Sequence, residues 1–224
     1  MSCAVRLRVI LMILMALLLS SCSAKFQQVG ETAKLAFLGQ KGAELTPEQI
    51  AAIPYASIYA RQGDGPQAFM VLAFAEQGLD KWVSSDHAML VTRKGRLVKA
   101  IGLEHQLISV SNQQKDPVIE GLKPANMPQS YSRKISWMPG YFSDIKEESS
   151  FQFIGKEQLT IAGHSMELNK FTEFLTIPAF DYQAVNTFWV EPDTGLVRKS
   201  IQHYAPDVPP LTITQLRPYI GKYS

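Results

Sequence analysis

Cysteine is nearly absent: the 224 residues hold two, Cys3 and Cys22, both close to the start. No arrangement of cysteines can therefore staple the body of the chain or build a thiolate metal site. A long apolar run is missing too. The longest, residues 9–19, has eleven residues, short of the ~20 that a transmembrane helix needs. Neither sign of charge dominates, with 22 basic and 20 acidic residues, so the footprint expected of a nucleic-acid-binding protein is lacking. No HExxH, GxSxG, SxxK or GxxxxGK[ST] motif occurs. The four histidines, His87, His105, His164 and His203, stand too far apart for metal-ligand spacing. No metal and no cofactor are expected, and no nucleic-acid partner.

What is present begins with the first 21 residues. Arg6 and Arg8 are followed by the apolar run and then by Ser20 and Ser21, the layout of a secretory signal peptide. Leu19-Ser20-Ser21-Cys22 is similar to a bacterial lipobox. That similarity implies cleavage before Cys22 and acylation of its thiol, palmitate included. Each buried methylene contributes roughly 0.8 kcal/mol, so several chains hold a protein to a membrane where one does not. Ser23, in place of Asp, implies the outer membrane, with the body facing the periplasm. Removing Arg6 and Arg8 leaves the acidic and basic residues equal in number. The mature body has no thiol, so its stability must come from packing.

The expected organisation is a signal peptide over residues 1–21, a lipidated tether over 22–30 and one β-rich periplasmic domain over 31–224. Residues 30–39 suit a short helix. Thr46-Pro47-Glu48-Gln49 reads as a second helix start, with Thr46 as cap, Pro47 in the first helical position and Gln49 closing a capping box; Pro54 ends it. Strands are expected over 56–61, 67–76, 81–84, 89–93, 96–102, 131–137, 150–161, 165–177, 187–190, 196–203 and 211–216, separated by glycine, proline and asparagine or aspartate turns. In 131–137 the alternation puts Tyr131, Ile135 and Trp137 on one face. The polar, proline-bearing stretch 111–129 reads as a long loop or a connection between two halves. The fold class that follows is all-β, mainly antiparallel, a barrel-like or sandwich domain with one or two short N-terminal helices.

Chemistry is sparser. Trp82, Trp137 and Trp189 fall on expected strands and form a candidate face for stacking a glycan or another ligand, against the ordinary alternative of core packing. Asp144, Glu147 and Glu148 could supply paired carboxylates but read more simply as a solvated charged loop. Arg93, Lys94, Arg96 and Lys99 cluster on one hairpin, where they could meet acidic groups or protect an edge. A weak internal echo links Trp82-Val83-Ser84-Ser85-Asp86 to Trp189-Val190-Glu191-Pro192-Asp193, each followed by a glycine hairpin.

Several runs, in order, carry a resemblance. They are Ala33-Lys34-Leu35-Ala36-Phe37, Ile53-Pro54-Tyr55-Ala56-Ser57, Gly95-Arg96-Leu97-Val98-Lys99, Phe188-Trp189-Val190-Glu191-Pro192-Asp193-Thr194-Gly195 and Ser200-Ile201-Gln202-His203. With the lipobox, they resemble the YjbF/GfcB family of capsule- and exopolysaccharide-associated bacterial lipoproteins. The resemblance implies a β-barrel-type domain on an anchored lipoprotein and brings no catalytic residue; Cys22 is the one functional position it maps. The expected function is non-enzymatic: assisting assembly or export of capsule or exopolysaccharide by binding export proteins or the polysaccharide. The alternative is a carrier or chaperone for lipid or another apolar ligand, which would need a cavity. An enzyme acting on polysaccharide would need two carboxylates about 5–10 Å apart.

Overall fold

Thr46 does cap a helix. The computed structural model describes residues 42–223, and α1 spans Pro47–Ala52 with the capping box complete. Gln49 N–H donates to the Thr46 hydroxyl, and Thr46 N–H donates to Gln49 Oε1 at 2.8 Å. The signal peptide, Cys22, the tether and the expected helix at 30–39 lie outside the described residues. From Ala43 onward the chain forms one compact unit.

Twelve strands follow: β1 (Ser57–Gln62), β2 (Ala68–Glu76), β3 (Leu79–Ser84), β4 (Met89–Arg93), β5 (Arg96–Ile101), β6 (Gln106–Val110), β7 (Gln129–Met138), β8 (Phe142–Ile161), β9 (His164–Ile177), β10 (Tyr182–Val190), β11 (Val197–Gln202) and β12 (Leu211–Arg217). Each pairs antiparallel with its neighbours in the chain, and β1 pairs with β12 to close a barrel. Closure removes the exposed edge that an open sheet would present. Three strands differ from expectation. Residues 106–110 form β6, β10 begins at Tyr182 rather than at 187, and β8 begins at Phe142, so Asp144, Glu147 and Glu148 lie in a strand rather than a loop.

Alternation divides the strands into an inner and an outer face. The inner face is filled by a cluster that includes Ile58, Trp82, Leu107, Ile135 and Trp137. The stretch between β6 and β7 is a strap, not a solvated loop. It carries α2 (Pro117–Glu120), and it buries Val118 and Leu122 against Phe151, Phe171 and Phe188. It thereby plugs one rim. At the other rim the β11–β12 connection buries Tyr204, Ala205 and Val208; the Tyr204 hydroxyl donates to the His105 carbonyl at 3.0 Å. A void beside Trp82 and Thr92 in the interior is about 10 Å³. A third cluster lies outside the barrel, where Ile50 of α1 packs with Trp189, Leu168 and Leu216. The internal echo dissolves here: Trp82 faces the interior and Trp189 the outer layer.

Two of the runs that carry the resemblance meet across the barrel. Gln202 on β11 accepts from Leu97 N–H at 3.0 Å and donates to the Gly95 carbonyl at 2.9 Å and to Ser200 Oγ at 2.9 Å. Gly95 has φ +88°, and a Cβ there would lie 2.5 Å from Val197 Cβ. Those motifs therefore hold the β4–β5 turn against β11.

Candidate functional site

The outer wall of β7–β10 holds a solvent-open trough of about 740 Å³. Register builds it from two rows of outward side chains. One row runs Ser130, Ser150, Phe174, Val185, and the next Ser132, Glu148, Thr176, Gln183. Three strand spacings make each row roughly 14 Å long. Phe174 and Val185, 44% and 42% exposed, are paired directly across the strands. They form an apolar platform flanked by hydroxyls and one amide. Glu148, the one carboxylate among the lining side chains, pairs with Lys146 at 2.5 Å. The arrangement suits a hydroxyl-rich ligand that lays one apolar face on a ring and offers hydroxyls to its neighbours.

Behind the trough, the same strands turn ionisable groups inward. Arg96 of β5 donates to both oxygens of Glu173 on β9, at 2.7 and 3.0 Å, and to Asp116 of the strap at 3.1 Å. Its guanidinium lies between the rings of Phe188 and Phe151, at 5.0 and 5.8 Å. Asn186 of β10 donates to Glu173 at 2.8 Å. Arg133 of β7 donates to Glu147 of β8 at 2.5 Å, and its Nη1 lies 3.8 Å from Asp116. None of these five ionisable side chains is more than 4% exposed. Burial pushes the Glu147 carboxyl above its ordinary range despite Arg133. Burial acts the same way on Glu173, but Arg96, Arg133 and the hydrogen bonds from Arg96 and Asn186 hold it below.

The structure does not bring the three tryptophans together. Trp82 is buried in the interior, its indole N–H donating to Thr92 Oγ1 at 2.9 Å. Trp137 is buried against Phe142 at 4.8 Å. Trp189 is buried in the outer layer between the ammonium groups of Lys199 and Lys170, at 5.1 and 5.3 Å. They share no accessible face. Glu147 and Glu148 point to opposite sides of β8, each with its own cation, so they do not form a carboxylate pair. Arg96 is entirely buried and separates from the other hairpin cations. Sequence reasoning missed the trough. Its signal was the alternation of Ser130 and Ser132 with Tyr131 and Arg133, legible only once the neighbours of β7 are known. Among the described residues no group of three or more His, Cys, Asp or Glu is placed to hold a metal ion.

Fold and trough together define a filled antiparallel barrel with a ligand-sized concavity on its outer wall. The chain belongs to the family described as Group 4 capsule polysaccharide lipoprotein gfcB, YjbF, which matches residues 30–216. It is 34% identical to the uncharacterized lipoprotein GfcB of Escherichia coli (strain K12) over 213 residues, covering 95% of this chain and 99% of that one. It is 33% identical to the uncharacterized lipoprotein YjbF of the same organism over 211 residues, 92% of this chain and 96% of the other. The fold is similar to the crystal structure of the hypothetical lipoprotein YmcC from Escherichia coli (K12). The TM-score is 0.73 at 35% identity, covering 84% of this chain and 95% of that one.

Proposed function

We propose that this protein is a non-enzymatic outer-membrane lipoprotein, anchored through acylated Cys22 with its body in the periplasm, that assists assembly or export of a capsule-type polysaccharide. It acts by holding a segment of the glycan in the outer trough of β7–β10, where an export protein can meet it. The trough itself carries this reading: an exposed ring and hydroxyl groups in register on the wall of a barrel whose interior is packed by apolar side chains. Membership of a family named for capsule polysaccharide supports it. The ion pair Lys146–Glu148 supports binding over hydrolysis, because glycoside hydrolysis asks for two carboxyl groups flanking one bond. A lipid carrier would need an enclosed apolar cavity, and an interior void of about 10 Å³ counts against it.

The test is complementation. A deletion strain should lose surface polysaccharide under inducing conditions. Wild type should restore it, whereas F174D, which puts a charge on the apolar platform, should not, although the variant is present in equal amount. Full restoration by F174D would remove the trough from the proposal. An unchanged polysaccharide level in the deletion strain would remove the function. Cys22→Ala should lose the lipid and either move to the soluble fraction or stay unprocessed; fractionation with the outer membrane unchanged would remove the anchor.

A further inference from the structure

The charges inside the barrel do not balance. Arg96 and Arg133 face three carboxylates, Asp116, Glu173 and Glu147, all excluded from water. The two cations are also unevenly shared. Arg96 is taken up by Glu173 and Asp116, with its Nε 2.8 Å from Asp116 Oδ2. Arg133 reaches Glu147 through one nitrogen and lies near Asp116 with another. Glu147 is therefore the member with the least compensation. Its Oε1 accepts from Arg133, but its Oε2 is buried without a hydrogen-bond partner. A buried ionised oxygen with no donor is costly, and the usual resolution is that the group takes up a proton.

We propose that Glu147 is folded as a neutral carboxylic acid, and that its ionisation at higher pH is a built-in release for the strands behind the trough. One proton on Oε2 brings the buried set to zero net charge and leaves the Arg133 hydrogen bond to Oε1 intact. The groups facing Glu147 come from every neighbouring element: Arg133 on β7, Glu173 on β9, Arg96 on β5, Tyr182 on β10 and, beyond Arg133, Asp116 of the strap. Tyr182 in turn faces Asp207 of the β11–β12 connection. Lys146 and Glu148 leave β8 on the opposite side and pair with each other. The elevated carboxyl of Glu147 and the depressed one of Glu173 agree with this assignment.

The mechanical consequence lies in the alternation. Arg133, Glu147, Glu173 and Asn186 alternate along β7–β10 with the residues that line the trough. Removing the proton leaves one uncompensated negative charge behind the trough wall. It opposes the packing of β7, β8 and β9 around the two arginines. This inference does not depend on what the trough binds.

The experiment is an infrared titration of the purified full chain, with and without ¹³C-carboxyl-labelled glutamate. A protonated-glutamic-acid band should be present at neutral pH, disappear as pH is raised, and be absent from E147Q. In parallel, the unfolding constant of wild type should rise by up to tenfold per pH unit from the ordinary glutamate range up to that titration and level off beyond it, the signature of one proton bound more tightly by the folded state. E147Q, whose amide mimics the neutral acid, should show no such rise. The proposal is overturned if the wild-type band is missing at neutral pH, or if it survives in E147Q and vanishes in E173Q. It is also overturned if wild type and E147Q share one pH slope. Should E147Q fail to fold, E173Q decides: the labelled band should persist in it, and loss of the band there overturns the proposal.

Discussion

Arg96 shows how much one side chain can conceal. In the sequence it stands beside Arg93 and Lys94 and looks like a turn charge. In the fold it is fully buried, and its carboxylate partners lie 20 and 77 residues away along the chain. Arg96→Ala strands Glu173 and Asp116 in the interior. It should cost about 3–5 kcal/mol, the usual penalty for breaking a buried pair from one side, read as a lowered denaturation midpoint. Lys156, whose pair with Glu167 is exposed at 2.7 Å, should tolerate Ala with the midpoint unchanged, because water screens such pairs. Gly95→Ala combines a left-handed φ with a Cβ pressed onto Val197. Backbone strain of this kind costs about 1–3 kcal/mol, and the same denaturation series would reveal it.

At the scale of elements, legibility followed locality. The capping box of α1 was readable to the residue, because cap, proline and glutamine act within one turn. Thr46→Ala should cost about 1 kcal/mol of stability in urea unfolding. Most strands were readable from alternation and their glycine turns. The first half of β8 was not. Its inward positions include Glu147 and Ser149, so both faces of that half-strand look polar and the period of two disappears. The strap escaped for a related reason. Its prolines and polar residues read as loop, yet Val118 and Leu122 close the rim and Asp116 enters the ion network. Leu122→Ala should cost about 2–5 kcal/mol. A proteolysis time course should show earlier cleavage within residues 111–128 than anywhere in wild type.

For the whole molecule, the two buried glutamates set opposite limits on pH. Glu173 titrates lower when folded, so its stabilisation is present above the ordinary glutamate range and is lost as pH falls through its folded value. Glu147 titrates higher when folded, so its contribution is complete below that range and is lost as pH rises through its folded value. Thermal midpoints followed across pH should therefore fall on both sides, and E147Q should remove the alkaline limb alone. The barrel's closure by β1 and β12 makes such coupling possible, since it holds side chains from β5, β7, β8, β9 and β10 and the strap within one enclosed space. The sequence by itself determined an all-β chain, its turns, the capped helix and a family-specific order of motifs. Each of these depends on dihedral preference, period or residue type over a few neighbours. Only the tertiary structure decided that the tryptophans are separated, that Arg96 is internal and that a trough runs across β7–β10. Those outcomes depend on which strand lies beside which and on the face each residue turns inward once the ring of strands is closed.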